Sequence, residues 1–117
     1  MKLNHINLGV SDVGAATAFL VRYFGVRLAP GMPQNDAMGF TLDDNDALIS
    51  VFKAKDVVYP KIFHIGFLQA TRQAVDELHA QLSADGCEPG ERNTEHGRYV
   101  FYVNAPGGFL VEVSCVV

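Results

Sequence analysis

The sequence predicts an α+β fold made of two tandem βαβββ modules. The apolar pattern runs strand, helix, then strands, and it does so twice within 117 residues. A His-Ile pair opens each half, at His5-Ile6 and again at His64-Ile65, each one strand ahead of a capped helix. Recurrence at a period of about 60 residues points to duplication of a supersecondary unit. Two such units can curl their sheets into a half-barrel cup with the helices on the convex face. The chain reads as one domain: module one is 1–55, a connector is 56–60, and module two is 61–117.

The elements follow in order. Residues 3–10, LNHINLGV, mix β-branched and apolar side chains as a strand does. From 11 to 25 the period turns helical, with Ser11 or Asp12 as N-cap and Gly25 at the C-terminal stop. Ala16, Phe19, Leu20 and Tyr23 lie on one face of this helix. VRLAP is a short strand, GMPQND a loop rich in breakers, and AMGFTLDD with DALISVFKA two strands around a tight turn. KIFHIGFL (61–68) opens the second half. A helix over 71–86 follows, capped by Thr71, closed at Gly86, and apolar at Ala74, Val75, Leu78 and Leu82. CEPGERN, RYVFYVN and FLVEVSCVV then read as three strands.

Apolar residues make up 49% and charged residues 19%, which supports a packed core. A net charge of −4 argues against a nucleic-acid partner, and no polybasic run suggests a membrane surface. Asn4, His5 and Asn7 interrupt any secretory apolar region, and no apolar run approaches the roughly 20 residues of a membrane span. Cys87 and Cys115 form no motif. Free thiols in a cytoplasmic protein are the default, with a disulfide between them as the alternative.

Glu112 poses the functional question, because it sits inside the apolar run from Phe109 to Val117. A buried carboxylate must be paired, metal-bound or protonated. Strand alternation sorts the faces. Ile6 and Leu8 go under the helix, which turns His5 and Asn7 the other way. Likewise Phe63, Ile65 and Phe67 oppose Ile62, His64 and Gly66. Ile49 and Val51 oppose Leu48, Ser50 and Phe52, while Val111, Val113 and Cys115 oppose Leu110, Glu112 and Ser114. His5, His64 and Glu112 therefore share the concave face. Two imidazoles and a carboxylate can occupy one face of an octahedral ion and leave positions open, which suits Fe(II) or Mn(II), with Zn(II), Ni(II) or Co(II) as further options. The alternative is structural: hydrogen-bonded histidines, and Glu112 paired with Arg98 or Arg22. Leu48, Phe52, Ile62 and Leu110 would wall the cavity, with Asn7 and Ser50 as its polar lining.

The segments NHINLGVSDVGAATAFLVRYFGVRL, FHIGF and FYVNAPGGFLVEV resemble the vicinal oxygen chelate superfamily, which includes glyoxalase I, extradiol dioxygenases, and fosfomycin and bleomycin resistance proteins. The turn before the final strand matches at Pro106, Gly108 and Glu112, with Ala105 replacing the usual Asp. The resemblance implies metal ligands at His5, His64 and Glu112. The fourth ligand position aligns with Ser50, where glyoxalase I has a second glutamate, so that activity is disfavoured. The remaining His, His, Glu set is that of the extradiol dioxygenases. TEHGRYVFYVNAPGGFLVE is similar to their closing signature and implies His96 as acid/base and Tyr102 as donor to a substrate oxygen. Taken as residues alone, His96 also reads as an exposed loop histidine and Tyr102 as core packing. Fosfomycin resistance enzymes share the ligand set but have Thr where this chain has Asn7, and basic residues after the last strand. Bleomycin-type binders lack the ligands. The expectation is a metal-dependent enzyme for a small substrate with vicinal oxygens. The alternatives are a resistance-type protein or a non-catalytic binding module. The family also implies a homodimer, in which His5 of one protomer could meet the partner's His64 and Glu112.

Overall fold

Asp12 starts the first helix: its backbone is extended, and its side chain accepts the N–H of Ala15 at 3.0 Å. Gly25, with φ +67°, ends it. Thr71 does the same for the second helix, its hydroxyl accepting from Ala74 N at 3.0 Å. The computed structural model describes residues 1–117 throughout. Its elements are β1 (His5–Val10), α1 (Val13–Phe24), β2 (Arg27–Leu28), β3 (Met38–Leu42) and β4 (Leu48–Lys53), then β5 (Ile65–Leu68), α2 (Arg72–Ala84), β6 (Asn93–Glu95), β7 (Arg98–Ala105) and β8 (Phe109–Val116). The βαβββ repeat is present twice, as two helices and two four-stranded mixed sheets.

The sheets have strand orders β1-β4-β3-β2 and β5-β8-β7-β6. In each, the first strand lies parallel to the last, and the other neighbours are antiparallel. Parallel pairing needs a crossover of a dozen or so residues, which the helix supplies. Alternation along β8 follows the sequence reading as far as Val113: Val111, Val113 and Cys115 are buried and Leu110 and Glu112 half-buried, but Ser114, read onto the face of those two, is buried as well. Both cysteines are free. No helix is long and apolar enough to cross a membrane.

The residues divide into two compact units, 1–59 with 106–108, and 60–105 with 109–117. In the first, α1 buries Val13, Ala16, Phe19 and Leu20, and Leu8, Val10 and Val51 complete the interior. Val13 thus joins the expected face, whereas Tyr23 is only half-buried. In the second, Val75, Leu78 and Leu82 of α2 pack in the core with Phe101, Val103, Val111 and Val113. Each such aliphatic side chain stabilises the fold by about 1.5–3 kcal/mol.

Three of the departures from the strands read in the sequence have a visible backbone cause. β5 starts at Ile65 because Phe63 N–H turns back to the Pro60 carbonyl, so His64 lies just before the strand. β2 is two residues long, although Ala29 N–H still reaches Phe40 O; Pro30, which has no N–H, follows. The strand expected at CEPGERN forms instead at Asn93–Glu95. Pro89 cannot donate to a ladder, and beside it Gly90 N–H donates to Tyr102 O at 2.8 Å.

α2 is tied down by charge and ring contacts. Asp76 accepts from the Tyr99 hydroxyl at 2.6 Å and from Arg92 at 2.9 Å, and Arg72 stacks over the Tyr99 ring at 4.0 Å. His79 Nε2 bonds Gly90 O at 2.9 Å, and its ring sits edge-on to Phe101. The Tyr99 bond is the main cause that holds Asp76 below its ordinary value of 3.8, with Arg92 adding to it against the effect of burial.

In unit one the turn 106–108 seats against β1. Ser11 N–H donates to Gly107 O at 3.0 Å, and a Cβ on Gly107 would lie 2.9 Å from Val10 Cβ at a φ of +94°.

Two predictions follow from these contacts. Gly107→Ala combines strain with a clash and should cost about 2–4 kcal/mol in urea unfolding. Gly97→Ala, at φ +73° with nothing within 4 Å, should cost only about 1 kcal/mol. Asp76→Asn should lower the melting temperature at neutral pH. A depressed native value gives stability that is present above the unfolded value and lost as pH falls through the native one. The difference from wild type should therefore fade in acid, and one that persists in strong acid would exclude the charge-based account.

Candidate functional site

The helix of each unit covers one sheet face, and the residues of interest lie on the other. Register aligns them in rows. In unit two, Gly66, Glu112 and Tyr102 are lateral partners across β5, β8 and β7. In unit one the matching row is Asn7, Ser50 and Phe40. Ser50 is therefore the positional counterpart of Glu112, as the alignment expected, and no carboxylate occupies that row. Phe40 is the counterpart of Tyr102, a correspondence invisible without the register. It sits edge-on to Phe52 at 5.7 Å.

The second row brings three of the expected residues together. His64 Nε2 lies 3.1 Å from Glu112 Oε2, and the His64 ring sits edge-on to Tyr102 with centroids 5.4 Å apart. Glu112 is 19% exposed, His64 32%. Gly66 makes room for the carboxylate, since a Cβ there would come within 3.3 Å of Glu112 Oε2. The pairing of Glu112 with Arg98 or Arg22 weighed from the sequence is replaced by its contact with His64.

The histidine orientations suit a cation. His64 Nδ1 lies 3.0 Å from the Ile62 carbonyl, an obligate acceptor, so that nitrogen carries hydrogen and Nε2 faces Glu112. In unit one, His5 Nδ1 lies 2.7 Å from Asn4 Oδ1, which leaves Nε2 available in the same way. An oxygen acceptor on one ring nitrogen that presents the other is the usual support of a metal-binding imidazole. Within the chain, no three His, Cys, Asp or Glu side chains gather into a group able to hold a metal ion.

The remaining expected residues are distributed as follows. Asn7 is exposed and Leu48 and Leu110 are half-buried. Ser50 is only 1% exposed, Phe52 is at the border of exposure, and Ile62 is open to solvent. His96 occupies the tip of the β6–β7 hairpin with φ +48°, followed by Gly97 at +73°. That backbone favours small or polar turn residues, and the hydrogen bonds and ring contacts of His64, Glu112 and Tyr102 do not involve His96. Its neighbour Glu95 does reach the group: Tyr102 donates its hydroxyl to Glu95 Oε1 at 3.2 Å. The sequence reading missed Glu95. Its only sequence signal is a polar strand beside a hairpin, and the contact depends on the lean of Tyr102.

Burial is the first cause that raises the Tyr102 phenol above its ordinary 10.0, with the Glu112 charge next and Glu95 after it. Elsewhere, in unit one, Val13, Thr17, Val21, Leu28 and Met38 line an apolar cleft of about 440 Å³ that contains none of these residues.

Residues 2–113 match the family model described as the Glyoxalase/Bleomycin resistance protein/Dioxygenase superfamily. No curated protein matches significantly. Among solved structures, a possible glyoxalase from Bacillus cereus is 39% identical, with TM-score 0.90 over 98% of this chain and 99% of that one. The fosfomycin resistance protein FosX from Listeria monocytogenes is 23% identical, with TM-score 0.82 over 100% and 94%. An E126Q form of FosX, complexed with Mn(II) and 1S,2S-dihydroxypropylphosphonic acid, gives TM-score 0.78 at 23% identity over 96% and 90%.

One titration follows from the site. The difference between wild type and Tyr102→Phe should isolate a phenol that ionises above 10.0, and Glu112→Gln should lower its midpoint by removing the charge while leaving the burial. Ultraviolet titration checks this, and an unchanged midpoint would place Glu112 too far away to act.

Proposed function

Because the chain belongs to the Glyoxalase/Bleomycin resistance protein/Dioxygenase superfamily, we propose that it is a metal-dependent enzyme acting on a small substrate with vicinal oxygens, with His5, His64 and Glu112 as the metal ligands. The observation that carries this reading is the orientation of the two module-equivalent histidines. Each sets Nδ1 against an oxygen and turns Nε2 the other way, and that of His64 points at Glu112 Oε2, 3.1 Å away. Ser50 in place of a second carboxylate weighs against glyoxalase I chemistry and favours an extradiol-dioxygenase-like use of the site. Fe(II) or Mn(II) suits this donor set best.

The bound ion would act as a Lewis acid on two adjacent substrate oxygens. The residues of the chain do the rest. Glu112 supplies the anionic charge, and the Ile62 and Asn4 oxygens hold the imidazoles in register. Tyr102 lies beside His64, where it can hydrogen-bond a substrate group. Leu48, Phe52, Ile62 and Leu110 offer apolar walls, which suits an aromatic or aliphatic body better than a sugar phosphate. His96 is the candidate proton carrier of this reading, next in sequence to Glu95, which accepts the Tyr102 hydroxyl. The complete ligand set would form in a homodimer, His5 of one protomer joining the partner's His64 and Glu112. A second reading, a non-catalytic binding module, takes the His64–Glu112 contact as a structural ion pair.

Metal analysis separates the two. Wild type should take up Mn(II) or Fe(II) and melt at a higher temperature when loaded. His5→Ala, His64→Ala and Glu112→Ala should each lose metal at least about tenfold while remaining folded. Mixing His5→Ala with Glu112→Ala should restore one intact site per heterodimer, which an unswapped arrangement cannot do. No uptake by wild type, together with destabilisation by Glu112→Ala, would leave the structural ion pair as the explanation.

A further inference from the structure

We propose that Glu95, acting through Tyr102, makes this site selective for a substrate that carries a hydroxyl or N–H donor beside its chelating oxygens. The inference rests on the reading of His64 and Glu112 as the chelating end. A phenol has one hydrogen to give, and an ionised carboxylate can only accept. Tyr102 gives its hydrogen to Glu95. Although Arg98 lies opposite Glu95 in the hairpin register, the Glu95 carboxylate turns to Tyr102. The other carboxylate in the row, Glu112, is the lateral partner of Tyr102 and offers a second acceptor rather than a donor.

No donor from the chain reaches the phenolic oxygen, so its lone pair is the only function Tyr102 can present. This reverses the role expected from the sequence, where Tyr102 was a donor to a substrate oxygen. A substrate hydroxyl or amine at that point completes the chain of bonds, donor to Tyr102 to Glu95. An ether, a carbonyl or an anionic group there meets lone pair against lone pair. Glu95 is therefore a positioning residue, since it acts by fixing which way the phenol hydrogen points.

The test uses Mn(II)-loaded full-length protein and two catechols of similar size, under nitrogen. Pyrogallol carries a third hydroxyl next to the chelating pair; 3-methoxycatechol carries an ether oxygen in its place. Calorimetric binding should favour pyrogallol roughly tenfold, the scale of one satisfied against one unsatisfied polar group. Glu95→Ala frees the phenol rotor and should bring the ratio to within about twofold. Tyr102→Phe should do the same. Glu95→Lys should favour 3-methoxycatechol, because an ammonium donates to the phenol oxygen and turns its hydrogen outward. A purely structural role for Glu95 would weaken both ligands equally and leave the ratio unchanged. The proposal is overturned if Mn(II)-loaded wild type binds neither catechol at millimolar concentration, binds both alike, or keeps its preference in Glu95→Ala. Failure to take up Mn(II) at all instead defeats the metal reading beneath it. Electron paramagnetic resonance of bound Mn(II) tells the two failures apart, and circular dichroism confirms that each variant is folded.

Discussion

Everything functional in this fold hangs on parallel pairing between the first and last strand of each βαβββ unit. A parallel neighbour cannot be reached by a tight turn, so the helix must cross over and cover one face of the sheet. That crossover decides which side chains are committed to the core and which are left for chemistry. The same pairing sets the register that lays Gly66 beside Glu112 and Asn7 beside Ser50. A slip of one residue would turn Glu112 into the core and Val111 or Val113 out of it. The apolar neighbours of Glu112 therefore specify the site as firmly as the glutamate does.

Much of this architecture was legible in the sequence because it depends on period and on caps. Asp12 and Thr71 announced the helices, and alternation sorted Val111 and Val113 from Glu112. Boundaries were less legible where backbone bonds compete. The turn from Phe63 to Pro60 delays β5, and the Pro89-Gly90 step moves β6 toward the hairpin. Neither depends on side-chain period, so pattern reading cannot locate them.

The site was legible to the same degree and for the same reason. The contact between His64 and Glu112 follows from parity plus the parallel register. The part played by Glu95 does not, because a tyrosine hydroxyl lies several ångströms from its own backbone and can lean along the strand. Long side chains escape the period-2 rule at their tips. His96, singled out by its place in a signature, occupies a left-handed turn position whose backbone demand is itself sufficient reason for a polar residue.

The rows opened by the register also trade volume. In unit two a glycine stands beside a glutamate, and in unit one an asparagine stands beside a serine. Each row thus places one small residue next to one larger one, in opposite order. The contact at 3.3 Å between a notional Gly66 Cβ and Glu112 Oε2 explains why the two positions are not independent. Within unit two, any side chain placed at position 66 would press on the carboxylate at position 112, so a substitution at one is felt by the other.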